Sequence, residues 1–417
     1  MLAGLQATVG THARVVGTGT KRKKNMTHQR RISHLQECIS DRGLSGAILF
    51  YSRDTYYYSG TAQPAYLVVS PDDFRLFVRR GYDIALGESD LEAGRIVEEK
   101  SLETIAQMMF PGSGAGEKVG TELDMLTVTQ AHGLTSVLGD RDLVDISGEI
   151  LAQRMVKDES EIESIKKACR AVHAGHLAAV SCLRAGMSEL ELSAQVEAAH
   201  RLAGHEGCFF IRLNDFVMSR GPLASGPNIL KTSGTLYTLC GAGLSPATPT
   251  GASMRIIERG DLVLVDMPTC VEGYHADQAR TYAVEKASGK AVELFERLRG
   301  VADRLVEGIG PGISCGEVFS MAEEHASNLG IGDSFMRMHS GGRVHFIGHG
   351  IGVEVNEPPV IAKKSKTVLQ PGMVVAIELH LVGPTGIAMK IEDNVLIGPE
   401  RNEILTISPR ELVVVSN

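Results

Sequence analysis

The chain has 417 residues, 43% of them apolar and 22% charged, with a formal net charge of -8 and a pI near 6.0. That length suits two domains better than one core, and the balance of apolar and charged residues excludes a mainly disordered chain. No apolar run reaches bilayer length, and the acidic surplus disfavours nucleic acid as the main partner, because phosphate neutralisation needs excess Lys and Arg.

The cysteines, Cys38, Cys169, Cys182, Cys208, Cys240, Cys270 and Cys315, are odd in number and never form a Cys-x-x-Cys pair. Neither a disulfide framework nor a zinc knuckle is indicated, and a reducing cytoplasm fits best. Residues 1–25 lack any acidic residue and end in the basic run Lys21 to Lys24, followed by Met26. We expect this stretch to be a disordered or misannotated extension, since Met26 offers a natural start before the first helical pattern, and export is not expected because no apolar segment of a secretory signal follows.

From Ile32 to about Ser147 helical and strand signals alternate. Ile32, Leu35 and Ile39 share one helical face ahead of Gly43, and "SGAILFYS", "AYLVVSP" and "DFRLFVRRG" read as short strands bounded by turn residues. The spacing predicts an α/β domain over 26–150, ended by a long helix that Asp158 opens with Glu161 three residues on, a capping-box spacing.

The remainder, 151–417, contains an internal echo. Gly186, Ser188, Glu191, Glu197 and Gly204 recur as Gly312, Ser314, Glu317, Glu323 and Gly330, each pair 126 positions apart. Each copy reads as a Gly turn, a Ser N-cap with Glu at N3, a helix and a Gly stop, and each follows another helical stretch. Two units of one design predict a duplicated α+β domain with pseudo-twofold halves.

Acidic residues interrupt two strand-like runs of this domain. In "GDLVLVDMPTCVEGYHADQARTYAV", a turn around Glu272 and Gly273 folds Asp266 towards Asp277; in "GMVVAIELHLVGPTGIAMKIEDNVLI", Glu378 and Glu392 flank a "GPTG" turn. Unpaired carboxylates in apolar runs are costly, and like charges brought together favour a divalent cation between them. Between the hairpins, "RVHFIGHGIGVEVNEPP" sets His349 among glycines. Four carboxylates and one imidazole suit Mn, Fe, Co or Zn better than a structural thiolate site.

The ordered set Asp266, Asp277, His349, Glu378 and Glu392, with "GHGIG", "EPP" and "IEDNVLI" around it, resembles the five metal ligands of the pita-bread metallopeptidases, the family holding prolidase, aminopeptidase P, methionine aminopeptidase and creatinase. The resemblance runs from about Arg154 to the C-terminus, and more loosely covers the N-terminal domain that prolidase, aminopeptidase P and creatinase share. It implies two divalent ions (Mn, Co, Zn or Fe), with Asp277 and Glu392 bridging them, Asp266 bidentate on one, and His349 and Glu378 completing the other. A hydroxide held between the ions would attack a peptide or peptide-like amide, with Glu378 moving its proton. His345 matches a substrate-side histidine of the family, and a homodimer is the implied assembly, with the N-terminal domain shielding the pocket or forming the oligomer contact.

Departures from the pattern fall on the substrate side. Asn356, in "VNEPP", stands where prolidases and aminopeptidases P carry histidine; the loop "GAGLSPATPTGASMRIIERGD" lacks a second family histidine; and Lys390 replaces the arginine before the last glutamate. Asn356 and Lys390 are the expected substrate-binding positions, and Asn356 donates hydrogen bonds but shuttles no proton at neutral pH. The expected activity is that of an Xaa-Pro aminopeptidase or Xaa-Pro dipeptidase. Hydrolysis or lysis of a non-peptide small metabolite is the alternative, and a non-catalytic binding module the third reading, disfavoured by retention of all five ligands.

Overall fold

The structure, a computed structural model, describes residues 18–417 apart from 215–219, 235, 237 and 384. Of the extension expected over 1–25, residues 1–17 lie outside the described residues and 18–25 enter the first helix. The chain forms two compact units, one ending at Gly148 and one spanning Glu149–Asn417. Among the described residues, no helix is long and apolar enough to cross a membrane.

The first unit runs α1 (Thr18–Asp41), β1 (Gly46–Leu49), α2 (Ser52–Ser59), β2 (Ala65–Val69), β3 (Phe74–Val78), α3 (Tyr82–Glu88), β4 (Ile96–Glu98), α4 (Leu102–Met109), β5 (Lys118–Thr121), α5 (Val128–Val137) and β6 (Asp142–Asp145). Ile32, Leu35 and Ile39 are buried along one face of α1, as the spacing predicts. The six strands form one sheet in the order β4-β3-β2-β1-β5-β6, antiparallel at β1–β2 and β2–β3 and parallel elsewhere. All five residues of β2 are buried, so both faces of the sheet are covered, and Ile48, Val68, Phe77, Ile105, Phe110 and Leu134 pack into a common core.

Helix α6 (Ser147–Met155) leads into the second unit. There α7 (Glu159–Cys182) starts at the predicted capping box: the Glu161 amide donates to Asp158 Oδ1 at 3.1 Å and the Asp158 amide to Glu161 Oε2 at 3.1 Å. After α8 (Glu189–Leu202) come β7 (Leu223–Ser225), β8 (Leu262–Asp266), β9 (Thr269–Val271), β10 (Tyr274–Ala276) and β11 (Ala279–Val284). The second half follows with α9 (Gly289–Gly308), α10 (Cys315–Asn328), β12 (Phe346–Gly350), β13 (Glu357–Ala362), β14 (Val374–Val382), β15 (Ala388–Leu396), β16 (Glu403–Ile404) and β17 (Val413–Val415).

The predicted duplication is visible in the backbone. Ser188 and Ser314 cap α8 and α10 in matching capping boxes, and Gly186 and Gly312 hold φ of 88° and 90°, a left-handed turn that a side chain would strain. The amides of these glycines donate to the Ile257 and Leu369 carbonyls, and the Ile257 and Leu369 amides return to Met187 and Ile313. Each half therefore packs a helix pair on a sheet: α7 and α8 on β17-β11-β8-β7, α9 and α10 on β13-β12-β14-β15-β16. This is the pita-bread fold.

The halves meet where β11 lies beside β15. The Thr281 hydroxyl donates to the Lys390 carbonyl at 2.9 Å and accepts from the Lys390 amide at 3.0 Å, while the Arg280 guanidinium, 1% exposed, donates to the Glu392 carbonyl and to Asp393 Oδ1, each at 2.6 Å. These bonds bring the acidic strands of both sheets to one place.

Candidate metal centre

Each acidic hairpin positions its pair differently. On β14 and β15, Glu378 stands directly opposite Glu392, so both side chains leave the same face of the sheet. On β8 and β11, Asp266 pairs with Ala279, and Asp277 lies two residues earlier, beyond the end of β11. The separate hairpin β9–β10 fills the connection, with Glu272 and Gly273 both at positive φ in a two-residue turn. The Asp277 amide donates to Asn394 Oδ1 at 3.0 Å, which fixes the aspartate from the partner half.

His349 arrives on β12, between β13 and β14. A Cβ on Gly348 would fall 2.3 Å from the Ala376 carbonyl oxygen, and one on Gly350 2.2 Å from that of Pro358, so only glycine permits this approach on either side of the histidine. His349 Nδ1 lies 3.0 Å from the Gly350 carbonyl, which can only accept. That bond places the proton on Nδ1 and leaves the Nε2 lone pair free towards the acids, the arrangement a ligating histidine needs.

The expected five side chains converge. His349 Nε2 is 3.8 Å from Glu378 Oε1 and 4.0 Å from Glu392 Oε1, and ligand atoms of Asp277, His349 and Glu392 all lie within 4.8 Å of one another. Lys390 reaches in from β15: its ammonium is 2.7 Å from Asp266 Oδ2, 2.8 Å from Glu378 Oε2 and 3.0 Å from Glu392 Oε2. Asp266, His349, Glu378, Lys390 and Glu392 are all buried.

Burial, then the neighbouring Asp266 charge, pushes the Asp277 carboxyl well above its ordinary range; burial and then Asp277 do the same to Glu392. Burial also raises Asp266, offset only in part by Lys390. For Glu378 burial acts upward, but Lys390 and His349 outweigh it and hold the carboxyl below its usual value. Burial acts downward on Lys390, yet Asp266 and then Glu378 raise its ammonium well above the ordinary lysine range. Positive charge is in short supply, and Asp277 Oδ1 and Glu392 Oε1 are buried with no hydrogen-bond partner among the described residues. Hard oxygen donors without partners, beside an oriented imidazole, fit a divalent cation.

The set opens onto a cavity of about 260 Å³ whose lining includes Asp266, Asp277, His349, Glu378 and Lys390 among the ionisable groups, with Phe209, Ile211, Leu213, Phe346 and Val355 as apolar walls. Asn356 is exposed and also lines it. His345 does not: it is exposed ahead of β12, and Phe346 takes the wall position. The pairing of β12 with β13 shifts register between Phe346 and His349, so simple alternation does not carry His345 onto the face of His349.

Sequence reasoning missed several supports. Asn394 holds Asp277, and a signal existed, because Lys390, Glu392 and Asn394 alternate on one strand and so share a face. Arg154, 1% exposed, donates to Glu354 Oε2 at 2.7 Å and Glu357 Oε1 at 2.6 Å, with Lys157 3.4 Å from Glu357 Oε2. This buried network anchors the turn that carries Val355 and Asn356 to the cavity. No local pattern in the sequence marks it, since its members are about 200 residues apart.

Fold and site together define a metallopeptidase-type hydrolase. The model of "Metallopeptidase family M24" matches residues 163–399, and that of the "Creatinase/Prolidase N-terminal domain" matches 31–156. The chain belongs to metallopeptidase family M24. It is 29% identical to the Xaa-Pro dipeptidase of Pyrococcus furiosus, over 92% of this chain and 99% of that one. Among solved structures it resembles an Xaa-Pro dipeptidase from Bacillus anthracis (TM-score 0.78, 26% identity, 93% of this chain and 99% of that one). It also resembles an X-Pro aminopeptidase from Thermotoga maritima (TM-score 0.75, 26% identity, 93% and 99%).

Proposed function

We propose that the chain hydrolyses the amide bond that precedes proline, in an Xaa-Pro dipeptide or at the N-terminus of a longer peptide, with Asp266, Asp277, His349, Glu378 and Glu392 as metal ligands. The observation that carries the reading is the convergence of four carboxylates and an oriented imidazole beside one cavity, which Asp266, Asp277, His349 and Glu378 line, with Asp277 Oδ1 and Glu392 Oε1 lacking a hydrogen-bond partner among the described residues. The five residues have the capacity for two divalent ions, Mn, Co, Zn or Fe; the position of Lys390 bears on how many are held.

A divalent ion bound there supplies Lewis acidity and lowers the pKa of attacking water. The chain's own groups do the rest. His349, tied through Nδ1, holds its Nε2 lone pair at the centre. Glu378, kept ionised by Lys390 and His349, is in the form that takes a proton from the attacking water and passes it to the leaving amine. The apolar walls Phe209, Ile211, Leu213, Phe346 and Val355 exclude bulk water and suit a proline ring. Asn356 offers a hydrogen bond at the rim, and Lys390 acts through the carboxylates it touches.

A second reading, an amide hydrolase or lyase acting on a small metabolite, draws on Asn356 and Lys390, which stand where peptidases of this kind carry histidine and arginine. A panel of Xaa-Pro dipeptides, longer Xaa-Pro peptides and N-acyl or cyclic amides, run with Mn, Co, Zn and Fe, separates the two. Cleavage of the Xaa-Pro substrates supports the peptidase; cleavage confined to the amides supports the second reading. A homodimer and a reducing cytoplasmic setting are part of this proposal, the first by likeness to the family and the second by the scattered cysteines. Sedimentation equilibrium checks the assembly.

A further inference from the structure

Glu378 and Glu392 each point their two oxygens at different groups, one at an imidazole and one at an ammonium. Oε1 of Glu378 lies 3.8 Å from His349 Nε2, and its Oε2 lies 2.8 Å from Lys390 Nζ; Oε1 of Glu392 lies 4.0 Å from His349 Nε2, and its Oε2 lies 3.0 Å from Lys390 Nζ. Carboxylates that bridge two cations divide their oxygens in this way. The cluster therefore has an imidazole pole and an ammonium pole. At the first, ligand atoms of Asp277, His349 and Glu392 fall within 4.8 Å of one another, less than an ångström wider than the roughly 4 Å that two bonds of about 2 Å reach across one ion, so small side-chain shifts would seat it.

We propose that the Lys390 ammonium occupies the pole a second cation would otherwise take, so that this chain holds one tightly bound divalent ion, on the side of Asp277, His349 and Glu392. The inference rests on the reading of these side chains as metal ligands. At the ammonium pole Lys390 Nζ contacts Asp266 Oδ2 at 2.7 Å and Thr238 Oγ1 at 3.2 Å in addition to the two glutamates, so its three protons are spent. An ion bound to Asp266 Oδ2 or Glu378 Oε2 would lie no more than about 5 Å from the ammonium nitrogen, where a divalent and a monovalent cation repel strongly in a site this buried.

The lysine is held at this pole from behind: the residue is 2% exposed, and its backbone is clamped at both the amide and the carbonyl by Thr281 Oγ1. A lysine ammonium is a compact point charge able to sit in the space of an ion, which a planar guanidinium cannot do. Among the described residues, the Asp277, His349 and Glu392 group is the one cluster of three or more metal-ligating side chains, in keeping with a single ion.

The test is metal stoichiometry, read by mass spectrometry after chelator stripping and equilibrium dialysis of the full chain against Mn²⁺ or Zn²⁺. The wild type is expected to saturate at one tightly held ion per chain, and Lys390→Met, similar in length without the charge, at two. Two equivalent tight ions in the wild type would overturn the inference and leave the ligand reading intact, whereas no ion at all would overturn both. A folded Lys390→Met or Lys390→Gln that still takes one ion also overturns it. Circular dichroism verifies the fold of each variant, and should neither variant fold, the wild-type count alone decides.

Discussion

Glu378 and Glu392 face each other across β14 and β15 with no residue of register between them, and both are buried. Two buried carboxylates so close destabilise a fold that has nothing to set between them; this chain sets an imidazole at one side and an ammonium at the other.

That arrangement makes Glu392 a cost to the metal-free protein. Glu392→Gln replaces a buried carboxyl that burial and Asp277 already hold towards its neutral form, so the metal-free variant should unfold at a temperature no lower than the wild type. The same change should cut activity at least about 100-fold, since even the loss of an outer partner of a metal ligand costs 10–100-fold. Calorimetry on chelator-treated protein and an assay of the metal-loaded protein check the two halves; a large drop in the metal-free melting temperature would contradict the first.

The clamp behind the centre should behave in the opposite sense. Asp393 accepts from Arg280 Nη2 at 2.6 Å, from Thr406 Oγ1 at 2.7 Å and from Arg410 Nε at 2.7 Å. Asp393→Ala leaves the buried Arg280 guanidinium without its carboxylate, and urea unfolding should report a loss of about 3–5 kcal/mol. A loss below about 1 kcal/mol would show that the Arg280 bonds to backbone carbonyls suffice.

Acid should destabilise the protein in two steps. Burial pushes the Glu357 carboxyl up, but Arg154 and Lys157 outweigh it and hold it at about 2, against an ordinary 4.5. Its depressed value means a contribution to stability that is complete above about 4.5 and lost as pH falls towards 2. Burial, reinforced by His205, lowers His200 to about 4 from 6.5. The folded state thus holds His200 neutral while the unfolded chain protonates it, and that contribution is complete above about 6.5 and lost as pH falls towards 4. Urea midpoints should decline from pH 6.5 downward, and His200→Gln should flatten the upper part of the decline. A midpoint that rises between pH 6.5 and 4 would contradict both assignments.

The duplicated capping boxes offer a matched pair. Ser188→Ala and Ser314→Ala each remove an acceptor for the amide three residues on, and each should cost about 1 kcal/mol in chemical denaturation. A several-fold difference between the two would mean that the halves, alike in backbone, differ in how tightly their helices dock.

Most of this fold was legible because its signals are local. The 126-residue echo needed only glycines and capping residues, and the acids stood out because Asp266 and Glu378 break apolar runs. The turn at Glu272 and Gly273 was placed by its residue types. Lys390 was read as a substrate-side substitution because it stands where the family carries arginine; its alternation with Glu392 and Asn394 already put it on the acids' side, but a strand pattern gives the face of a side chain and not the reach of its ammonium. His345 was expected on the substrate side by resemblance to the family, and it lies exposed ahead of β12, outside the cavity lining. The walls Phe209, Ile211 and Leu213 come from a segment with no periodic signal, and only the folded chain puts them at the cavity.

The central claim is that a divalent cation sits among these side chains, and anomalous diffraction from a crystal grown with Mn²⁺, collected above and below the manganese edge, tests it most directly. The account predicts a strong manganese peak within bonding distance of Asp277, His349 and Glu392. A fully loaded crystal with no peak in this cluster, or with its only peak elsewhere in the molecule, would contradict it.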